Sequence, residues 1–422
     1  MYISWVFFLR TRKAMMDVSL EQAQADYRAF AARGLNLDIT RGKPAPEQLD
    51  LSADLLTNVT GDDFTSPSGI DTRNYGGLDG LKELREIFGE LYKVPTEQIL
   101  AQGSSSLTLE YMTLDFAKRY GTPAGAPWTN AKILCPVPGY DRHFQLAEAL
   151  GYELIAIRTD DEGPVMDDVR RYVADPDVRA MWLVPMYSNP TGTSISEARA
   201  RELAEIKAAA DDFTLLWDNA YGLHHLSDDN QAPMVDILSL CAEAGHPDRP
   251  WIYASTSKMT FAGAGVAFFA SSPAVIEWYR THMGAAMIGP DKINQLRHLR
   301  FFRDADGVRE HMRRHAEIIR PKFEAVLTAL ENGLSSDIAS WTQPNGGYFI
   351  TLRVPNGTAS KVVKYAAEAG VALTPAGSTH PHGLDPNDAY IRIAPTMPSL
   401  EDVTAAAEGL VACVRLAAAE LG

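Results

Sequence analysis

The sequence contains few cysteines, fewer cations than anions, and no long apolar run. Three cysteines occur among 422 residues, far apart and without a CxxC pair, which excludes a disulfide framework and a cysteine-rich zinc site. Lys and Arg total 39 against 54 Asp and Glu, and the net charge of -15 argues against binding to a nucleic-acid backbone. Because cysteine pairs are absent, we expect a reducing compartment and a cytoplasmic protein.

The apolar run at residues 2–9 is the feature nearest to a membrane segment. It is far shorter than the roughly 20 residues that span a bilayer. Its positive charges follow the run, whereas a signal peptide carries them in front. We therefore predict that residues 1–16 are an upstream extension with Met15 or Met16 as the working start. A membrane-binding or partner-binding arm is the alternative.

From about residue 81 onward, helical patterns alternate with short apolar runs. Apolar residues recur three and four apart from Leu81 to Leu91, which predicts an amphipathic helix that ends near Pro95. Further helices are predicted over 104–119, 141–150, 166–174 and 196–210, and strands over 132–136, 153–158, 180–185, 214–219, 251–256 and 265–271. Short apolar strands separated by helices are typical of a buried parallel sheet, so we predict an α/β fold.

After Pro290 the pattern changes. A long helix is predicted over 306–333, followed by a strand-rich piece and a closing Ala-rich helix over 399–421. This block predicts a smaller α+β domain that the N-terminal segment joins. We place the small domain at residues 17–65 and 315–422, and the large domain at residues 66–314.

Lys258 carries the first chemical signal. It directly follows the predicted strand 251–256, in the motif STSK, and precedes a Gly-rich turn at 261–265. A lysine at the end of a core strand is costly unless it is paired or covalently modified. The alternative is an ordinary lysine whose stem lies along apolar surface while its amine reaches water.

Two further motifs follow strands. Asp218 and Tyr221, in DNAY, come at the end of the strand 214–219, and carboxyl ends of parallel strands are where α/β proteins bind ligands. An aspartate there can hold a protonated heteroaromatic nitrogen, and Tyr221 can reach the same ring. A helix N-cap and core packing are the alternatives. Asn189, in NPTG, follows another strand, and a plain turn is its alternative.

The last two motifs suit a flat, phosphorylated ligand. Ser104 and Ser105 open an apolar helix, where backbone N–H groups flanked by hydroxyls form a phosphate site, although simple N-capping is the alternative. Tyr140 places an aromatic ring at a strand end, where it can stack on a ligand or belong to the core. The order and placement of all five motifs describe a phosphorylated pyridine aldehyde bound by its phosphate, face, ring nitrogen, phenolic oxygen and aldehyde.

This set of motifs resembles the fold type I aminotransferases that use pyridoxal 5'-phosphate (PLP), over nearly the whole chain from about residue 30. The phrases LDITRGKP, YGGLDGLKELR, STSKMTFAGAG and GPDKINQLRH resemble a bacterial aspartate aminotransferase subgroup that is also similar to the catalytic part of MocR-type regulators. The resemblance implies a large domain with a mostly parallel seven-stranded sheet between helices, a smaller α+β domain, and a homodimer with shared active sites.

The resemblance also implies a role for each motif. Lys258 would form the Schiff base with PLP, Asp218 would pair with the pyridine nitrogen, and Tyr140 would stack on the ring. The other implied roles are Asn189 and Tyr221 at the phenolic oxygen, Ser104, Ser105, Ser255 and Ser257 at the phosphate, Tyr75 at the phosphate of the partner subunit, and Arg392 and Gly42 at the substrate α-carboxylate. Arg392 lies within an otherwise apolar run, which argues against an ordinary surface arginine.

One position departs from the family pattern. Many relatives place an arginine eight residues after the lysine, to neutralise the phosphate, whereas this chain has Val266 there. Either another cation, such as Lys292 in GPDK, takes that role, or hydroxyls and helix N–H groups suffice.

A dicarboxylic substrate needs a second cation besides Arg392. Arg41 and Lys43 flank Gly42, and Lys292 is a third candidate. We predict Arg41, because in relatives the residue before this glycine lines the side-chain end of the pocket. A surface arginine paired with a nearby carboxylate, Asp38 or Glu47, is the alternative.

The resemblance implies an aspartate aminotransferase that transfers the amino group of L-aspartate to 2-oxoglutarate, giving oxaloacetate and L-glutamate by a ping-pong mechanism. The alternatives are an aminotransferase for aromatic amino acids or 2-aminoadipate, a β-eliminating lyase, and a PLP-sensing MocR-like regulator. The regulator needs an additional helix-turn-helix module, but only about 30 residues precede the matched region, and the chain is acidic. We expect amino-acid and 2-oxo-acid substrates, and neither nucleic acid nor membrane as a partner.

Overall fold

The computed structural model describes residues 19–421, so the predicted extension at residues 1–16 lies outside the described residues. Its helices are α1 (Leu20–Ala31), α2 (Pro46–Asp50), α3 (Lys82–Tyr92), α4 (Ser106–Tyr120), α5 (Asp141–Ala149), α6 (Met166–Tyr172), α7 (Glu197–Glu205), α8 (Ile237–Glu243), α9 (Pro273–Met283), α10 (Lys292–Phe302), α11 (Ala305–Gly333), α12 (Ala359–Glu368) and α13 (Leu400–Ala419). Its strands are β1 (Leu37–Asp38), β2 (Ile99–Ala101), β3 (Lys132–Val137), β4 (Glu153–Asp160), β5 (Gly163–Pro164), β6 (Val178–Leu183), β7 (Thr214–Asp218), β8 (Pro250–Ser255), β9 (Ala267–Ala270), β10 (Ser340–Trp341), β11 (Ile350–Arg353), β12 (Val371–Ala372) and β13 (Tyr390–Ile393).

The central sheet has the strand order β2-β9-β8-β7-β6-β3-β4-β5. The strands β4, β3, β6, β7 and β8 run parallel to one another, whereas β9 runs antiparallel to both of its neighbours. The two-residue strand β5 pairs antiparallel with β4 at the edge. The predicted α/β fold with a mostly parallel sheet is therefore confirmed, and a short edge strand adds an eighth strand to the predicted seven.

Helices cover both faces of this sheet, which explains why its strands are apolar on both sides. Leu215 and Trp217 of β7 point into a core cluster that includes Leu84 of α3 and Leu203 of α7. Leu216, between them, points to the opposite face, into a second cluster with residues of α4 and α9. A strand buried on both faces has no polar alternation, as expected of a covered parallel sheet.

A smaller antiparallel sheet, β10-β11-β13, and the parallel pair of β1 with β12 lie outside the central sheet. Leu37 of β1 pairs with Val371 of β12, so the N-terminal segment packs with the C-terminal block. A third core cluster joins Phe30 of α1 to Leu410 of α13 and Ile350 of β11. The strand-rich block after α11 is thus built around its own apolar core.

Helix α11 connects the two parts. Val308 and Met312, near its start, belong to a cluster of the central sheet. Ile319 and Phe323, further along, belong to the cluster of the smaller block. The helix runs across the predicted boundary between residues 314 and 315 without a break, and the exact domain boundaries stay a prediction.

Several elements are shorter than their patterns predict. The helix predicted over 196–210 ends at Glu205, because Ile206 adopts an extended conformation with φ -61° and ψ 133° and is buried. The strand predicted over 214–219 ends at Asp218.

Every helix within residues 19–421 is too short or too polar to span a bilayer.

Candidate active site

Four of the predicted site residues lie at the carboxyl ends of neighbouring parallel strands. Tyr140 follows β3, Asn189 follows β6, Asp218 ends β7, and Lys258 follows β8. These strands are adjacent in the sheet, in the order β8-β7-β6-β3. The carboxyl edge of such a sheet is where α/β folds leave room for a ligand, because the connecting loops separate there.

Asp218 is buried, and only one of its two carboxylate oxygens has a hydrogen-bond partner among the described residues. His143 Nε2 donates a hydrogen bond of 3.0 Å to Asp218 Oδ2. Asp218 Oδ1 is buried and has no hydrogen-bond partner among the described residues. A buried carboxylate oxygen without a donor is costly. One oxygen of Asp218 is thus oriented by protein, and the other can accept a hydrogen bond from a ligand.

The amine of Lys258 lies at the same edge of the sheet. Its Nζ is 4.7 Å from the centre of the Tyr221 ring, within the range of a cation–π contact. Tyr221 is buried, and its burial raises the pKa of the phenol above its ordinary value. The lysine amine therefore faces a neutral aromatic side chain.

The backbone around Lys258 is held from several sides. The Tyr348 hydroxyl donates to the Lys258 carbonyl oxygen at 3.2 Å, and His311 Nε2 donates to the Met259 carbonyl oxygen at 2.6 Å. Gln48, from the N-terminal segment, donates to the Tyr348 hydroxyl at 3.1 Å. The turn that carries the lysine is fixed by α2, by α11 and by Tyr348, which lies two residues before β11.

The glycine-rich turn after Lys258 has a steric reason. A Cβ on Gly265 would lie 3.0 Å from the backbone nitrogen of Ser257. An alanine here would need the backbone of Ser257 to move by a few tenths of an ångström, so the close approach favours glycine. Val266, the next residue, donates its N–H to Thr256 Oγ1 at 2.9 Å and is buried. Its apolar side chain offers no charge to a phosphate.

The serines predicted to bind the phosphate come together at the N-terminus of α4. Ser257 Oγ donates to the Ser104 carbonyl oxygen at 3.0 Å, and Ser255 Oγ donates to Ser257 Oγ at 3.1 Å. Ser105 is the N-cap of α4, but its side chain makes no capping hydrogen bond. Its hydroxyl and the first N–H groups of the helix can therefore serve an anion.

Arg392, on β13, is buried and faces Asn189. Its Nη1 donates to Asn189 Oδ1 at 3.3 Å, and its Nη2 donates to Thr374 Oγ1 at 3.3 Å. Its guanidinium carbon is 5.1 Å from the centre of the Phe349 ring. Asp141 Oδ1 forms an ion pair of 3.0 Å with Nη1. The guanidinium is thus oriented on several sides, as a bidentate carboxylate receptor requires.

Gly42 and Arg392 contact the same aromatic ring. A Cβ on Gly42 would lie 2.4 Å from Phe349 Cζ, so this approach requires glycine. The adjacent Arg41 is exposed. Asp38, one alternative partner for Arg41, accepts hydrogen bonds from the backbone and hydroxyl of Thr40.

The two remaining candidates for a cationic role differ in burial. Lys43 is exposed, whereas Lys292 is buried at the start of α10. A Cβ on Gly76 would lie 3.1 Å from Lys292 Cε, so the lysine stem packs on the YGG segment. Tyr75, in the same segment, is 78% exposed.

Sequence reasoning missed several residues of this site. His143, which orients Asp218, and Asp141, which pairs with Arg392, both lie within three residues of Tyr140 in the first turn of α5. Glu110, on α4, is buried near His143. A histidine and an aspartate beside a predicted ligand motif were an available signal, but only the fold shows which distant residues they meet.

The structure superimposes on that of an aspartate transaminase of Corynebacterium glutamicum with a TM-score of 0.93. The two chains are 45% identical, and the match covers 95% of this chain and 96% of the other. Together with the sheet, the lysine and the aspartate described above, this places the protein among the fold type I aminotransferases.

A family model described as "Aspartate amino-transferase" matches residues 11–421, and the chain belongs to this family. It is 50% identical over 408 residues to a putative aminotransferase of Mycolicibacterium smegmatis, covering 95% of each chain. It is 45% identical over 429 residues to an aspartate aminotransferase of Corynebacterium glutamicum, covering 98% of this chain and 99% of the other.

Members of this family use PLP, and the residues at the sheet edge fit it. The unpartnered Oδ1 of Asp218 suits a protonated ring nitrogen, because a buried carboxylate oxygen needs a donor. The Lys258 amine suits an aldehyde, and the hydroxyls at the start of α4 suit a phosphate. The ring nitrogen, the aldehyde and the phosphate of the cofactor thus each have a chemically matched group at this edge.

The histidines that surround the lysine turn predict a loss of stability in acid. Burial lowers the pKa of His224 to about 3 and that of His315 to about 2. An unfolded histidine has a pKa of about 6.5, so below that pH the unfolded chain binds more protons. The stabilisation is complete above pH about 6.5 and is lost as the pH falls toward the folded values.

We therefore expect the urea midpoint to fall steadily between pH 7 and pH 5. His315→Gln should reduce the slope of unfolding free energy against pH by about 1.4 kcal/mol per pH unit, which corresponds to one proton. His382→Gln, at an exposed position, is the control. An unchanged slope in the His315 variant would contradict the prediction.

Proposed function

We propose that this aminotransferase uses PLP to transfer the amino group of L-aspartate to 2-oxoglutarate, giving oxaloacetate and L-glutamate by a ping-pong mechanism. The observation that carries the proposal is the convergence of three groups on one site. Lys258 Nζ lies over Tyr221 after β8, the free oxygen of Asp218 lies at the end of the adjacent strand β7, and Arg392 bonds to Asn189, which follows the next strand, β6. The amine suits the aldehyde of the cofactor, the carboxylate suits its ring nitrogen, and the guanidinium suits the α-carboxylate of an amino-acid substrate.

The residues that would hold the cofactor follow from this arrangement. Lys258 would bind it covalently, and Asp218 would keep its ring nitrogen protonated. The remaining contacts are Tyr140 at the ring face, Asn189 and Tyr221 at the phenolic oxygen, and Ser104, Ser105, Ser255 and Ser257 at the phosphate. Since Val266 carries no charge, the start of α4 and these hydroxyls would supply most of the phosphate binding.

When bound, PLP supplies an electron sink for the electrons released at the substrate Cα. The chain's own groups then move and place the proton. The Lys258 amine acts as the base that takes the proton from Cα, and the neutral Tyr221 stands beside it. The Arg392 guanidinium binds the α-carboxylate and so fixes which bond at Cα is cleaved. For this to happen, the substrate carboxylate must share or displace the ion pair with Asp141.

The proposal that aspartate is the substrate depends on a second cation, which would bind the side-chain carboxylate. Arg41 is exposed next to Gly42, which reaches the same aromatic ring as Arg392. Its side chain therefore begins close to the α-carboxylate site and is free to reach a side-chain carboxylate. The 45% identity to an aspartate aminotransferase of Corynebacterium glutamicum supports the same substrate.

We also propose a homodimer with shared active sites and a cytoplasmic location. Tyr75 is 78% exposed although it is a large aromatic residue, and its segment packs on the buried Lys292. An exposed tyrosine on such a segment suits contact with a partner subunit.

The cysteines Cys135, Cys241 and Cys413 are all buried free thiols, which suits a reducing compartment.

Replacement of the lysine tests the proposed function. The purified protein should be yellow and should change its visible spectrum when L-aspartate is added, because the amino donor reacts with bound PLP. Lys258→Ala should abolish transamination of 2-oxoglutarate but still bind PLP non-covalently. Lys82→Ala, which removes an exposed lysine on α3, is the control. Full activity of Lys258→Ala would refute the catalytic assignment.

Replacement of Arg41 tests the choice of substrate. Arg41→Met should lower kcat/KM for aspartate about 30- to 1000-fold, since losing a charge-assisted pair costs about 2–4 kcal/mol. The rate with alanine, which has no second carboxylate, should stay nearly unchanged. Assays with both donors measure this directly. An equal loss for both donors would give Arg41 a structural role, and an unaffected aspartate rate would favour Lys43 or Lys292.

Hybrid dimers test the shared active site. Neither Lys258→Ala nor a Tyr75→Ala variant should have full activity alone. A mixture of the two should recover part of it, because one of the two sites in a hybrid dimer contains both native residues. Activity is measured after subunit exchange has been verified by mass. No recovery after verified exchange would show that each site is built from one chain.

A further inference from the structure

Glu110 is a buried carboxyl group that the proposed reaction does not use. It lies in the second turn of α4 and is 1% exposed. Neither of its oxygens has a hydrogen-bond partner among the described residues. A buried carboxylate with no donor would be strongly destabilising, whereas a neutral carboxylic acid is far easier to bury.

Glu110 belongs to a cluster with the residue that would bind the ring nitrogen. One oxygen of Glu110, one ring nitrogen of His143 and one oxygen of Asp218 all lie within 4.8 Å of one another. His143 Nε2 is 3.0 Å from Asp218 and 3.7 Å from Glu110. The His143 ring stacks on Trp182 at 4.1 Å with an interplanar angle of 7°, so its position is fixed.

Charge decides where the protons of this cluster lie. Two carboxylates this close in a buried site cannot both ionise without strong repulsion. Burial, together with the charge of Asp218, raises the pKa of Glu110. Asp218 already accepts a hydrogen bond from His143, whereas Glu110 accepts none. The negative charge is therefore more stable on Asp218 and the proton on Glu110.

The other groups that face Glu110 do not change this assignment. Tyr253, on β8, bonds to Thr113 on α4, and burial raises its pKa, so it stays neutral. Tyr140, before α5, is also neutral because burial raises its pKa. Lys258, after β8, favours the ionised form of Glu110, but its effect is smaller than those of burial and Asp218.

We propose that Glu110 is a positioning residue that stays a neutral carboxylic acid and keeps Asp218 as the single anion available to the cofactor's ring nitrogen. This inference rests on the proposed function, because it assigns a purpose to the charge of Asp218. A proton on Glu110 directed at Asp218, whose carboxylate oxygen lies within 4.8 Å, would stabilise the charge on Asp218 without adding a second negative charge to the cluster.

The first experiment locates the proton in the full chain after removal of bound cofactor. The unfolded glutamate has a pKa of about 4.3, and the folded value is higher. The stabilisation linked to this proton is complete below that pH and is lost as the pH rises toward the folded value. Relative to Glu110→Gln, which is permanently neutral, wild type should therefore lose stability as the pH rises.

The ratio of the two unfolding equilibrium constants should change by up to tenfold per pH unit as the pH rises above about 5. Thr113→Val, one turn further along α4, is the matched control, because it removes a buried polar group that does not titrate. Its difference from wild type should not depend on pH. A difference between wild type and Glu110→Gln that is equally flat would overturn the proposal.

The second experiment tests positioning in the protein loaded with PLP labelled with ¹⁵N at the ring nitrogen. Glu110→Leu removes the proton donor at similar volume and should lower kcat about 10- to 100-fold, with a smaller change in KM. Its ¹⁵N shift should move toward the unprotonated ring. Glu110→Gln keeps a donor and should restore both kcat and the shift to nearly wild-type values.

Equal impairment of the Leu and Gln variants would overturn the proposal, because it would show that an ionised glutamate is required. Wild-type kcat and ¹⁵N shift in Glu110→Leu would overturn it as well. If Glu110→Leu does not fold, the pH comparison of wild type with Glu110→Gln still shows whether Glu110 is protonated in the folded protein. If wild type itself binds no PLP, the proposed function fails, and the same pH comparison still locates the proton.

Discussion

The hydrogen bond from His143 to the buried carboxylate of Asp218 ties the start of α5 to the end of β7. It occupies one oxygen of Asp218 and leaves the other without a partner among the described residues. Much of the nearby structure serves this one group. Trp182 fixes the His143 ring by stacking, and Glu110 completes the cluster from α4. A buried carboxylate oxygen without a donor is costly, and the ring nitrogen of the proposed cofactor would supply the missing donor.

The lysine turn couples this site to the smaller block of the chain. Tyr348 and His311 bond to the carbonyl oxygens of Lys258 and Met259, and Gln48 bonds to Tyr348. Arg392 reaches the site from β13, and its guanidinium packs on the ring of Phe349. Residues far apart in sequence thus hold both the amine and the guanidinium. A change in how the smaller block packs would therefore move the proposed catalytic lysine and the proposed carboxylate-binding arginine together.

Much of the fold and many of the site residues could be predicted from local patterns. Strand ends were readable because apolar runs stop at polar motifs, as at Asp218 and Asn189. His143 and Glu110 were not predicted, because a histidine or glutamate within a helix is usually a surface residue. Their roles depend on contacts across 75 residues or between different helices, which periodicity does not report.

The order of helices and strands, the mostly parallel sheet and the motifs at its carboxyl edge can be read from local patterns, because short apolar runs are separated by helical periodicity and end at polar motifs. Packing between distant segments settles which oxygen of Asp218 is free, that Arg392 pairs with Asp141, and that Glu110 shares a buried cluster. Charge and protonation depend on distance and burial. Both are set by how α4, α5 and β13 pack against the sheet, and no single segment encodes that packing.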